Sequence, residues 1–391
     1  MGRRHGGVVV DWAALAEARP QLFDFDVSVL YKPALNEFIA LGRAVTERAG
    51  AREQEWWEHT TGLPADHPGV IHPREEVASH LPLRVGDYTD FYSSREHATN
   101  VGQLFRDPAN ALLPNWRELP VAYHGRASSL VVSGTPVRRP HGQRRAPGAD
   151  RPTFGLSREL DYELEVGFVI GRDSAPGRPI PVEEAEDYIF GLVLVNDWSA
   201  RDIQRWEYRP LGPFLGKNFA TTVSPWVVPL GELASFRVPG PPQEPAPLEY
   251  LLPRPRPTAP PSHLDVELTA TLTPAGGAPT VVCRSNLRHV YWSMAQQLAH
   301  HTSNGCPVRV GDLMASGTLS GPGEDAFGSL LEKSRGGRAP FPLSGGGVRT
   351  FLEDGDTLTL HGHAAAGAST LDLGRASGTI LPAGDYPTPR S

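Results

Sequence analysis

The run Leu160-Asp161-Tyr162-Glu163-Leu164-Glu165-Val166 alternates apolar and acidic residues without a fault. Read as a strand, it puts Asp161, Glu163 and Glu165 on one face and Leu160, Tyr162, Leu164 and Val166 on the other. Carboxylates held so close raise one another's pKa unless a cation lies between them. A solvated strand face would produce the same pattern. The apolar run Val166–Ile170 that follows argues for a buried central strand, where a bare acidic face is costly. A second apolar run, Gly191–Asn196, leads to Asp197, a further carboxylate at a strand end. Glu163, Glu165 and Asp197 form an all-oxygen set, which suits Mg2+ or Ca2+ and argues against zinc.

The flanking residues add polar chemistry. Ser199 is expected to cap a helix over Ser199–Tyr208, with Asp202 completing a variant of the capping box. On that helix Arg201, Gln204 and Tyr208 recur at i, i+3 and i+7, a polar stripe free to face a cleft, while Trp198, Ile203 and Trp206 dock it. Upstream, the polar stretch Asp87–His97 offers Asp90 as a metal ligand and His97 as a general base, since imidazole titrates close to neutrality. A lone histidine is more often structural. His300 and His301 end a helix before Asn304-Gly305 and read as a pair favoured by the helix dipole. Gly345–Gly347 lacks the Lys-Ser/Thr of a phosphate loop and reads as a turn.

The elements that must position these groups are short. The chain has 391 residues, enough for two or three domains, with 41 glycines and 39 prolines. That composition favours turns and short strands without reaching low complexity. Strands are expected over Ser129–Ser133, Leu160–Ile170, Phe190–Asn196, Pro225–Pro229, Val266–Leu272 and Thr357–Leu360. Helices are expected over Lys32–Arg48, Ser199–Tyr208 and Tyr291–His301, giving a mainly β, α+β class. Ten prolines in Pro239–Pro261 predict an extended surface excursion. A net charge of −7 argues against general binding to nucleic acid or anionic membranes. Two cysteines, no apolar span and no targeting signal point to a cytoplasmic chain.

Four strings carry a resemblance: DYTDFYSSREHATNVG (87–102), LPVAYHGRASSLVVSGTPVRRP (119–140), NDWSARDIQRWEYRPLGPFLGKNFATTVSPWVVP (196–229) and SGTLSGPGEDAFGSLLE (316–332). They resemble the fumarylacetoacetate hydrolase family, and its full-length members more than relatives sharing only the Glu-x-Glu…Asp carboxylates. The resemblance covers residues 8–383. It implies a small SH3-like N-terminal barrel (1–81, shortened at its start) followed by a large catalytic mixed-β roll (82–391), paired as a homodimer.

It also implies roles. Asp90, Glu163, Glu165 and Asp197 match metal carboxylates, and Lys217 and Thr221 match positions assigned to a metal site near Asp197. His97 matches a catalytic base and Glu332 its orienting carboxylate. Arg201, Gln204 and Lys217 match an oxyanion-stabilising set, and Tyr92, Arg106, Tyr123, Gln204, Tyr208 and Thr318 match substrate contacts. The activity implied is metal-dependent hydrolysis of the carbon–carbon bond of 4-fumarylacetoacetate, the last step of tyrosine and phenylalanine degradation. The cofactor implied is Mg2+ and/or Ca2+, with no organic one. The alanine-rich His361–Gly378 departs from the family pattern and holds none of these residues. A neighbouring activity, such as acylpyruvate hydrolysis, hydration or decarboxylation of a related keto acid, would use the same carboxylates. A silent binding protein on this fold would tolerate loss of His97 or Glu332, and both are retained.

Overall fold

The computed structural model describes residues 1–254 and 260–386. Leu164–Ile170 and Ile189–Asp197 pair antiparallel at the centre of the main sheet, as their unbroken apolar runs require. The sheet order is Ala122–His124, Tyr88–Phe91, Leu313–Ala315, Leu164–Ile170, Ile189–Asp197, Thr221–Val223 and Leu130–Val132, with Val228–Pro229 a further partner of Ile189–Asp197. A second sheet stacks against it, ordered Thr280–Asn286, Glu267–Thr273, Thr357–Ala366, Ser369–Leu381 and Val137–Arg138. Leu164, Val166, Phe168, Leu192 and Leu194 share one core with Leu268, Leu272, Leu358, Leu360 and Leu373.

Register decides what the other face of the main sheet carries, because residues directly opposite in a ladder share a face. Glu165 lies opposite Val195, Gly167 opposite Ala315, Asp197 opposite Thr221, and Asp90 opposite both Ala315 and Tyr123. At one end this face is apolar, where Val169, Val193, Val195, Val223 and Leu313 meet Ile39 and Leu83. At the other end it gathers Tyr123, Asp90, Glu165, Asp197 and Thr221, one from each of five strands. The sheet is thus buried on both sides, and its acidic end is where chemistry can sit.

The N-terminal part is a three-stranded antiparallel sheet, Gly2–His5, Val8–Asp11 and Ile71–Pro73, around Val10, Trp12, Leu15, Leu30, Phe38 and Ile71. Where an SH3-like barrel was expected, the described residues pair as this open sheet with helices packed on it. The helix expected over Lys32–Arg48 divides into Asn36–Ile39 and Arg43–Glu58. Gly42 separates them at φ 89°, a left-handed conformation that ends one helix and redirects the chain into the next. The proline-rich segment is more than a surface excursion. Leu251 is fully buried with Trp116, Tyr291 and Trp292, and Gln243 exchanges hydrogen bonds with Gln296. Residues 255–259 lie outside the described part. No helix among the described residues is long and apolar enough to cross a membrane.

Candidate active site

The perfect alternation from Leu160 does not make one strand. Leu160–Asp161 pairs with Ser199–Ala200, and a new strand begins at Leu164. Asp161 is the reason for the break. Its oxygens accept from the backbone N–H groups of Tyr162 (2.8 Å), Leu330 (2.7 Å) and Leu331 (2.8 Å), and from Arg201 Nε at 2.9 Å. It therefore leaves the acidic face that period-two reading assigns to it and becomes an internal brace. The same pairing removes the expected helix cap: Ser199 Oγ donates to the Asp197 carbonyl, and the helix Arg201–Glu207 starts without a side-chain cap. Asp202 accepts instead from Ser157 Oγ and the Arg158 N–H.

The expected metal carboxylates do come together. Asp90, Glu163, Glu165 and Asp197 are all buried, and each offers an oxygen within 4.8 Å of the others. Lys217 Nζ donates to Glu163 Oε2 (2.5 Å) and Asp197 Oδ2 (2.7 Å), and Thr221 Oγ1 donates to Asp197 Oδ1 at 3.0 Å. The Gly317 N–H donates to Glu165 Oε2 at 3.1 Å. Gly317 has φ 74°, and a Cβ there would stand 2.1 Å from the Phe91 carbonyl, so only glycine brings this N–H to Glu165.

Charge does not balance in this cluster. Arg201 divides itself between Glu163 (NH1 to Oε1, 2.7 Å) and Asp161, leaving Lys217 as the cation fully committed to the four carboxylates. Burial and the neighbouring carboxylates push Asp90 and Glu165 well above the usual carboxylate range. Glu163 goes the other way: burial opposes its charge, but Lys217 and Arg201 outweigh that and lower its pKa. Burial also opposes the charge on Lys217, which Asp197 and Glu163 nevertheless hold above its ordinary value. Asp90 Oδ1 and Glu165 Oε1 are buried without any hydrogen-bond partner. Two orphaned oxygens in an under-neutralised all-oxygen pocket fit a hard divalent cation.

Beside the cluster stands a second buried unit. Ser94 caps the helix Arg95–Phe105 by accepting from the His97 N–H, which fixes His97 in the first turn. His97 Nδ1 lies 2.7 Å from Glu332 Oε2. Burial opposes the charge on Glu332, yet His97 and hydrogen bonds from Asn100 and Ser329 keep its pKa lowered. An ionised Glu332 only accepts, so Nδ1 carries the proton and Nε2 is left as the basic nitrogen. The Tyr92 ring meets the His97 ring edge-on at 5.3 Å, and burial with the Glu332 and Glu163 charges raises its phenol pKa. That ties the dyad to the carboxylate cluster.

Among the expected oxyanion and substrate residues, two buried donors lack partners: Arg201 NH2 and the Thr318 hydroxyl. The other expected substrate contacts are placed less uniformly. Tyr123 OH lies 2.7 Å from Asp197 Oδ2 and 3.1 Å from Asp90 Oδ2, so it orients carboxylates. Gln204 Oε1 accepts from Arg201 NH1 at 3.3 Å. Arg106 grips the Ala111 carbonyl, closing its own loop, and Tyr208 is 39% exposed at the end of its helix. Neither is brought into the buried cluster. His300 and His301 do end a helix, but burial lowers both pKa values, opposite to a dipole-stabilised charged pair. Sequence reasoning missed Tyr88, which donates to Asp90, and the residues that hold Glu332: Asn100, Ser320 and Ser329. Ser329-Leu-Leu-Glu332 carries the spacing of a capping box, and Asn100 lies one helical turn from His97; those were the available signals.

Fold and site together describe an α+β protein with a curled central sheet and a buried acidic cluster able to hold a cation, and comparison with known proteins gives its family. Residues 87–379 match the fumarylacetoacetate (FAA) hydrolase C-terminal family model. The fumarylacetoacetase of Mus musculus is 48% identical over 360 residues, covering 91% of this chain and 85% of that protein. Those of Dictyostelium discoideum (46% identical; 97% of this chain, 90% of that one) and Arabidopsis thaliana (44%; 96% and 90%) are similar over nearly the whole length. A crystal structure described as an HpcE protein of Mycobacterium smegmatis shares the fold, with a TM-score of 0.55 at 20% identity over 98% of this chain and 96% of that one. The chain belongs to the fumarylacetoacetate hydrolase family.

Proposed function

We infer that this chain hydrolyses the carbon–carbon bond of 4-fumarylacetoacetate to fumarate and acetoacetate, the closing step of tyrosine and phenylalanine degradation. The similarity to fumarylacetoacetases over 91–97% of the chain supports the substrate. One observation carries the mechanism: a buried, carboxylate-oriented imidazole stands beside a carboxylate cluster that its own cations do not neutralise.

Such a bond breaks only if the departing carbanion is stabilised as an enolate. Asp90, Glu163, Glu165 and Asp197 would hold a divalent cation, Mg2+ or Ca2+, which would supply that Lewis-acid stabilisation. Tyr123 and Thr221 hold Asp197 in place for it, and Lys217 limits the repulsion between Asp197 and Glu163. His97 Nε2 takes a proton from water, whose oxygen bonds to the fumaryl-side carbonyl carbon. Glu332 keeps the ring oriented and stabilises the imidazolium. Arg201, through its unpartnered NH2, acts with Gln204 and Lys217 on the oxyanion of the tetrahedral adduct. On collapse the carbon–carbon electron pair leaves with acetoacetate, and the imidazolium returns its proton to that carbon. Tyr92, Arg106, Tyr208 and Thr318 are assigned to the substrate chain and its carboxylates. The reading includes a cytoplasmic homodimer, for which the exposed apolar run Leu211, Phe214 and Leu215 provides coverable surface.

Purified protein should convert fumarylacetoacetate to equimolar fumarate and acetoacetate. His97→Ala should lower kcat by about a thousandfold or more while cation binding is retained. Faster turnover of an acylpyruvate than of fumarylacetoacetate would overturn the substrate, and a His97→Ala enzyme within tenfold of the parent would overturn the base.

A further inference from the structure

The Glu332 carboxylate is surrounded by donors. Oε1 accepts from Asn100 Nδ2 at 2.8 Å and Ser320 Oγ at 2.9 Å; Oε2 faces His97 Nδ1 at 2.7 Å, Ser329 Oγ at 2.8 Å and Ser320 Oγ at 2.9 Å. These donors differ in what else they do. Ser320 Oγ also accepts the Gly328 N–H, and Ser329 Oγ also accepts the Glu332 N–H, so both are tied to the local backbone. Asn100 makes this single side-chain bond. It sits three residues after His97 on the same helix, and an i, i+3 pair shares one face. One helix face therefore delivers both the imidazole for Oε2 and the amide for Oε1.

We propose that Asn100 is a positioning residue of the hydrolytic site, fixing the Glu332 carboxylate so that Oε2 stays directed at His97 Nδ1. The inference rests on the reading of His97 as the base. A carboxylate turns about its terminal torsion in a broad well, so its plane is set by its partners rather than by its own rotamer. With Oε1 pinned by an amide, rotation of Oε2 away from the imidazole must break a buried hydrogen bond. Asn100 and Glu332 both line a cavity of about 600 Å3 whose other walls include Gln103, Leu104, Phe327, Arg335 and Arg338. The charged or titratable groups facing the pair are Glu163 and Tyr92 on the cluster side, Cys283 and Tyr162 in the core, and Glu324, Arg335 and Arg338 across the cavity.

Three substitutions separate this role from simple packing. Asn100→Leu keeps volume and removes the donor; Asn100→Asp replaces the donor by a second carboxylate; Asn100→Ala leaves room for water to donate in its place. The expected order of kcat is parent, then Asn100→Ala, then Asn100→Leu about tenfold down, then Asn100→Asp about a hundredfold down, with KM for fumarylacetoacetate within twofold throughout. The scale follows from the cost of small misplacements in a reacting geometry. Nitrogen-15 spectra of labelled histidine supply a readout independent of turnover. The Nδ1-protonated tautomer of His97 should dominate in the parent and lose population in Asn100→Leu. Equal kcat in the parent and both Asn100→Leu and Asn100→Asp, with an unchanged tautomer, would overturn the proposal. If the parent turned out not to act on fumarylacetoacetate, the substrate reading would fail while the tautomer comparison still decided the role of Asn100. Should Asn100→Leu not fold, the same comparison is made with Asn100→Ala and Asn100→Asp.

Discussion

At the scale of single residues, the site is a problem of charge placed out of water. Burying a carboxylate costs several kcal/mol unless it is paired, and breaking a buried pair is worse than never forming it. Asp161 meets the cost with three N–H donors and Arg201, and Glu332 with an imidazole, an amide and two hydroxyls. Glu165 does not. One of its oxygens is orphaned, its other accepts a single backbone N–H, and burial beside Asp90 raises its pKa. A cation ligand is the physical reason to keep an acid there. Glu165→Gln removes one charge from the pocket at constant volume, and calorimetry with Mg2+ or Ca2+ should read an affinity at least tenfold below the parent. Unchanged affinity would make the cluster a structural face.

At the scale of elements, the decisive feature is a strand that stops. The chain from Leu160 could continue as one ladder, yet the ladder gives way at Tyr162–Glu163, and Glu163 then reaches Arg201 and Lys217. Asp161 holds this break and binds two successive N–H groups at the start of the helix Leu330–Lys333 that carries Glu332. Asp161→Ala should cost about 3–5 kcal/mol in urea unfolding, the usual penalty for removing one member of a buried ion pair. A loss under 1 kcal/mol would show the brace to be dispensable. Local pattern made Glu163, Glu165 and Asp197 readable, because buried acids at strand ends stand out against Val, Leu and Ile. The same pattern misassigned Asp161, since period two cannot register a partner 169 residues away. The Ser199 cap failed for a related reason: a two-residue bridge to Leu160–Asp161 claims Ser199 and Ala200 before the helix can begin. Glu332 and Lys217 were legible only through resemblance, because their partners His97, Glu163 and Asp197 come from distant strands and helices.

At the scale of the whole molecule, one sheet does two jobs. One face packs on the second sheet around Leu164, Val166 and Phe168. The opposite face is apolar at one end, against Ile39 and Leu83, and acidic at the other. Rigid central strands therefore hold Asp90, Glu165 and Asp197 in fixed register, and the helix Arg95–Phe105 and the segment around Leu330–Lys333 bring up the dyad. Binding and catalytic groups carried on scaffold strands are held more closely than groups on loops. Arg106 and Tyr208, which sit on the more open rim, are the residues left outside the buried set.

On the proposed mechanism, this pocket of acids and the His97–Glu332 pair form one cation-dependent hydrolytic site. The measurement that tests it most directly is the initial rate on fumarylacetoacetate before chelation, after chelation and after readdition of Mg2+ or Ca2+, with the metal content of each sample determined. The rate should fall to background on chelation and return on readdition in the parent, but not in Glu165→Gln at the same cation concentration. Full turnover by folded protein shown to be free of metal would contradict that mechanism.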